Sequence, residues 1–136
     1  MRRLFSGAWI LASATVFVLA ACTVEKVPDG PVRPAPILHL VYFHLEDPAL
    51  AEDLLMDCQQ QLSVIPGVVS YAAGMHLETG RDSVDGDYDL ALLVGFDDTE
   101  AYQGYLVHAN HLELLATWRS RISSYTIHDV LDQPMP

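Results

Sequence analysis

Three side chains able to do chemistry fall within seven residues of one another: Tyr105, His108 and His111, in the segment Gly104-Tyr105-Leu106-Val107-His108-Ala109-Asn110-His111. A further histidine, His39, lies in the first apolar run of the chain. A phenol can donate a hydrogen bond to a carbonyl oxygen, and a neutral imidazole can remove a proton from the adjacent carbon. His111 falls in the first turn of a helix, where the positive end of the helix dipole disfavours imidazolium and leaves the ring able to accept a proton. The same groups would equally suit passive binding of a small polar-headed ligand, or a purely structural role in which Tyr105 and His111 bond each other or the backbone. His108 and His111 are three residues apart, a spacing that can bring two nitrogens to one metal. A zinc site needs at least a third protein ligand, and no His-Glu-x-x-His or cysteine pair supports one, so no metal or other cofactor is assigned.

The elements that must position these groups follow from hydrophobic periodicity. Residues 37–45, Ile-Leu-His-Leu-Val-Tyr-Phe-His-Leu, read as a strand that is largely apolar on both faces. Asp47-Pro48 supplies a cap and a first helical residue, and the helix predicted from there to about Leu62 stops before Pro66-Gly67. Leu50, Leu54, Cys58 and Leu62 recur every fourth residue, so Cys58 belongs to an apolar stripe and is expected to be a small buried hydrophobe. A second, weaker strand is predicted over residues 68–77, with Gly74 marking a bulge. A polar connection follows over residues 78–87, and then a third strand, Tyr88–Phe96, apolar on both faces. Asp97-Asp98-Thr99 caps helical turns through Tyr105 and Leu106. A further helical stretch places Leu112, Leu115, Trp118 and Ile122 on one face, and a fourth strand closes the domain from Tyr125 to Val130.

The order β-α-β-β-α-β is the split arrangement of a ferredoxin-like α+β fold with a four-stranded antiparallel sheet. Two helices cover one face of such a sheet. Strands one and three are apolar on both faces, so the second face needs a cover, and the simplest is a second copy in a two-fold dimer.

Outside this domain the sequence changes character. Residues 1–21 carry Arg2 and Arg3 followed by an apolar run from Ala8 to Ala21, shorter than a membrane span and ending in small residues, as in an export signal. Leu19-Ala20-Ala21-Cys22 resembles a bacterial lipobox, which implies cleavage before Cys22 and acylation of that residue. Thr23 after the cysteine implies, by analogy with lipoprotein sorting, the outer membrane facing the periplasm. Residues 22–36 hold the lipidated cysteine and a tether with four prolines and one glycine; extended, it would reach up to ~40 Å from the bilayer. The domain occupies residues 37–131 and a short tail residues 132–136.

Seven Lys and Arg stand against eighteen Asp and Glu, a formal charge of −11. Without Arg2 and Arg3 the balance is 5 − 18 = −13. Such a surface repels phosphate backbones and excludes nucleic acid as a natural partner. There is no glycine-rich phosphate loop and no Gly-x-Ser-x-Gly elbow. Asp85-Gly86-Asp87-Tyr88-Asp89 lacks the glycine placement and the terminal glutamate of an EF-hand and reads as a solvated turn.

Several short motifs, taken in order, resemble the stress-responsive α/β-barrel (Dabb) family of the dimeric α/β-barrel group. They are Ile37-Leu38-His39-Leu40-Val41-Tyr42-Phe43, Ile65-Pro66-Gly67-Val68, Phe96-Asp97-Asp98, Gly104-Tyr105-Leu106-Val107-His108-x-x-His111 and Tyr125-Thr126-Ile127-His128-Asp129-Val130. The resemblance implies a homodimer whose sheets pair into a barrel, with a small-molecule cavity in each subunit between sheet and helices. A plant member of the family is a polyketide cyclase using a tyrosine and a histidine in a Tyr-x-x-His-x-x-His segment. Those positions match Tyr105 and His111 as catalytic candidates, with His108 and His39 as further ligand-binding residues. A third-strand pocket histidine of that enzyme corresponds to Leu90 here, and the proline usual after the first histidine of the segment is Ala109.

Overall fold

A computed structural model describes residues 32–133. The expected signal peptide, Cys22 and most of the expected tether therefore lie outside the described residues. Val32–Pro136 forms a compact unit of its own. Among the described residues no helix is long and apolar enough to cross a membrane.

Four strands, β1 (Ile37–Leu45), β2 (Val68–Gly74), β3 (Leu90–Phe96) and β4 (Ile122–Leu131), form one sheet in the order β2-β3-β1-β4. Every pairing is antiparallel. A short 3-10 turn, Pro48–Leu50, leads into α1 (Ala51–Gln61), and α2 (Thr99–Val107) and α3 (Ala109–Trp118) connect β3 to β4. This is the ferredoxin-like arrangement that the order of periodic segments predicts.

Side-chain alternation decides which residues of β1 meet the helices. His39, Val41, Phe43 and Leu45 are buried on the helix side, while Leu38, Leu40, Tyr42 and His44 on the other face are half-covered. β3 repeats the pattern with Leu90, Leu92, Val94 and Phe96 buried. Against them α1 contributes Leu54 and Cys58, both fully buried, with Leu62 just past its end. Each such leucine contributes roughly 2 kcal/mol from apolar area removed from water. Asp47 caps the 3-10 turn through Ala49 N (3.0 Å), and Asp98 caps α2 through Ala101 N (2.8 Å), as Asx residues at helix starts do. Gly67 adopts φ +93° and lets α2 come close, since a Cβ there would lie 3.0 Å from the Ala101 Cβ.

The details differ at several points. β2 ends at Gly74, not at residue 77, so the polar connection before β3 is longer than periodicity suggests. The register shift in β2 lies between Val68 and Ser70, not at Gly74. Leu112 and Leu115 are exposed, and α3 buries Leu114 together with the expected Trp118. Ile122 is the first residue of β4 rather than part of the helix, because α3 ends at Trp118.

Candidate functional site

The cavity lies between the helix side of the sheet and the inner faces of α2 and α3, with a volume of about 130 Å³. Val41, Phe43, Leu92, Ile122, Tyr125 and Ile127 form its sheet wall, and Leu62, Leu106, Leu114 and Leu115 its helical wall. Its polar groups are His39, Tyr105 and His111. Three of the four binding residues expected from sequence thus meet at one end of an apolar chamber.

A backbone break brings Tyr105 and His111 together. On an unbroken helix, residues six apart point about 120° away from each other. His108 instead adopts φ −66°, ψ 143°, ending α2 and starting α3, and the two rings meet at a tilt of 47° with centroids 4.6 Å apart. The break would leave carbonyls at the end of α2 unpaired. The His111 Nδ1–H reaches back to one of them, the Leu106 carbonyl, at 3.1 Å.

His108 does not join the cavity. Its Nδ1 accepts from Asn110 N at 3.2 Å, so it is the N-cap of α3. His108 is thus the one expected binding residue that does not line this cavity, its Nδ1 being engaged as a helix cap. Asn110 then donates to the Gln61 carbonyl (3.1 Å), fastening the start of α3 to the end of α1.

His39 is 4% exposed and gains partners that sequence reasoning missed. The pairing of β1 with β4 sets it opposite Asp129. Its Nδ1 lies 2.7 Å from Asp129 Oδ1, and the Tyr102 hydroxyl donates to Asp129 Oδ2 at 2.9 Å. A carboxylate only accepts, so the His39 Nδ1 carries hydrogen. The Tyr102 phenol is pushed up to about 12, first by burial and then by its bond to Asp129. Nothing local in the sequence marks Asp129, whose side chain is half exposed; the register of β1 with β4 is what brings it to His39.

The electrostatics favour neutral groups. Burial lowers the His111 pKa below the usual imidazole value, partly opposed by the Leu106 bond and assisted by nearby His39. Burial pushes the Tyr105 phenol well above its ordinary range, helped by the Cys58 thiol and the Tyr71 and Tyr102 hydroxyls. The Tyr105 ring sits among His39 (6.0 Å), Phe96 (5.1 Å) and His111 (4.6 Å). Cys58 is fully buried with its thiol raised to about 12, inert as its place on the apolar stripe predicts. No group of three metal-ligating side chains occurs among the described residues.

A wider cleft, about 390 Å³, lies on the opposite sheet face between Tyr42, His44, Asp85, Asp87, Tyr88, Thr126 and His128. Its lining is mainly polar. The smaller chamber is the better candidate because it is mostly apolar with a few convergent polar groups, the usual construction of a small-molecule site.

A ferredoxin-like sheet with a helix-roofed chamber and histidines at one end defines an α/β-barrel type of domain. The sequence matches the Stress responsive A/B Barrel Domain (Dabb) family over residues 37–132, and the chain belongs to that family. A Dabb family protein with a ferredoxin-like fold from Mesorhizobium loti is 24% identical, with a TM-score of 0.61, covering 72% of this chain and 97% of its own. A dimeric ferredoxin-like protein of unknown function from Thermobifida fusca is 22% identical, with a TM-score of 0.59, covering 70% and 89%. A hydroxynitrile lyase from Passiflora edulis has the same fold at 14% identity, with a TM-score of 0.61, covering 76% and 100%. No curated protein matches the sequence.

Proposed function

We propose that this protein is a stress-linked, lipid-anchored envelope module that works as a homodimer and holds a small apolar or carbonyl-containing molecule in the chamber lined by His39, Tyr105 and His111. The observation that carries the reading is the convergence of these three groups on one end of an otherwise apolar cavity. Acylation of Cys22 would hold the domain at the outer membrane, facing the periplasm, on its proline-rich tether. The half-covered face bearing Leu38, Leu40 and Leu93 is where a second copy would sit, and the Thermobifida fusca protein of the same fold is described as dimeric.

A second reading, a cofactor-free lyase, cyclase or isomerase, is favoured by one observation. His111 is held neutral by burial beside Tyr105, which suits a base next to a hydrogen-bond donor. Tyr105 would stabilise an enolate oxygen while His111 Nε2 takes the proton. A third reading, a structural dimer with no ligand, makes the chamber incidental.

Native mass spectrometry of the exported protein, paired with His111→Ala, separates the three. A dimer carrying a stoichiometric added mass supports the binding module. If the variant merely weakens retention of that molecule, binding is the function; if it abolishes turnover of the molecule, the enzyme reading stands. A dimer without added mass, unaltered in all but stability by the variant, leaves the structural role, and a stable monomer removes the proposed sheet-to-sheet assembly.

A further inference from the structure

The hydrogen-bond pattern behind the cavity narrows what the cavity accepts, an argument that rests on the small-molecule reading above. Each imidazole uses Nδ1 against an acceptor outside the chamber: His39 against the Asp129 carboxylate at 2.7 Å, and His111 against the Leu106 carbonyl at 3.1 Å. Both Nδ1 atoms therefore hold hydrogen, an arrangement that in the neutral form of an imidazole leaves the lone pair on Nε2. Neither Nε2 is bonded to another group among the described residues, and neither is a sealed, unsatisfied atom. The polar end of the chamber thus offers two acceptors, with the Tyr105 hydroxyl able to give or take.

No lysine or arginine lines the chamber. An anion would meet two lone pairs and no counter-charge in an apolar space, at a cost that no bond there offsets. A ligand with only a carbonyl or ether oxygen would leave both Nε2 atoms unpaired. A hydroxyl group matches: it donates to one imidazole and accepts from Tyr105. The volume, about 130 Å³, is close to the ~150 Å³ that holds one benzene ring.

We infer that the chamber is a site for a small neutral hydroxyl compound of about one ring, a phenol, alcohol or enol, and that it discriminates against the corresponding anion and against isosteres without a donor. For a carbonyl-containing ligand this means the enol form is the one preferred.

The test uses residues 32–136, which hold their own core, titrated near neutral pH with phenol, toluene and benzoate by calorimetry. Long-range proton–nitrogen spectra of the imidazoles are recorded in parallel. Phenol is expected to bind about tenfold or more tighter than toluene, the difference one well-placed hydrogen bond and its unpaired alternative make. Benzoate is expected not to compete, and phenol should move the Nε2 resonances of His39 and His111 while both rings keep Nδ1–H. Toluene binding as tightly as phenol would overturn the donor requirement while leaving the cavity reading intact. Benzoate binding tighter than phenol, or either ring carrying its hydrogen on Nε2, would overturn the assignment of acceptors. Binding of none of the three would remove the small-molecule site and this inference together.

Discussion

Asp129 is the residue on which the arrangement of the cavity's polar end most depends, and its removal gives a quantity that can be worked out. Asp129→Ala deletes the nearer acceptor (2.7 Å) of a ring that is 4% exposed and leaves its Nδ1 only the more distant Tyr102 hydroxyl at 3.2 Å. A buried donor left unpaired costs ~1–3 kcal/mol. The same change strands the Tyr102 hydroxyl, but Asp129 is half exposed in its side chain, so water replaces much of that second bond. The sum is about 2 kcal/mol of unfolding free energy, which for a unit of this size lowers the melting temperature by roughly 10 °C. Asp129→Asn keeps an acceptor oxygen for His39 and should cost less than about half as much. Urea and thermal unfolding of the two variants beside the wild type measure the difference. Equal losses in Ala and Asn, or a loss below ~0.5 kcal/mol in Ala, would refute the argument that Asp129 fixes a buried imidazole, since surface substitutions stay within that range.

Further outcomes follow from other contacts. The His111 pKa is lowered in the folded state, so on acidification the unfolded chain takes up this proton first; stability should fall as pH drops below about 6.5, and His111→Gln should flatten that slope in urea midpoints measured across pH. Trp118→Phe removes the bond from the indole to Asp57 (2.9 Å) in a fully buried position and should destabilise by about 2 kcal/mol in the same assay. A Cβ at Gly95 would come within 2.6 Å of the Ala35 Cβ, so Gly95→Ala should cost about 2 kcal/mol or more through overpacking, visible as a lower denaturant midpoint. Cys58, with its thiol at about 12 and no exposed surface, should react with a disulfide reagent only at the rate of local or global opening.

The parts of the fold legible in the sequence are those set by local chemistry. Alternation in residues 37–45 separates the buried His39, Val41 and Phe43 from the other face, and the four-residue spacing of Leu54, Cys58 and Leu62 gives the buried side of α1. His39, Tyr105 and His111 could be singled out by type and neighbourhood. Asp129 and Tyr102 could not, because they reach His39 through the register of β1 with β4 and the placement of α2, which are long-range properties. His108 stands apart from the cavity for the opposite reason. Its spacing from His111 suggests a shared helical face, but the backbone opens at His108 itself, and a residue at a helix start uses its side chain on its own amides. Leu112 shows the limit of periodicity: an apolar residue at helical spacing need not be one that faces inward.

One wall of the chamber is made by β4, an edge strand whose Tyr125 and Ile127 are 59% and 45% exposed. The roof against α1 and the floor on β3 are by contrast sealed by Leu62 and Leu92. A guest therefore leaves past side chains that already touch water, without disturbing the central strands. Residence time is then governed by rotamer and strand-edge motion on the nanosecond-to-millisecond scale, and not by the much slower opening of the core. On the binding reading proposed above, such a compartment would equilibrate with its surroundings continuously, suited to reporting or buffering a concentration and not to storing its contents.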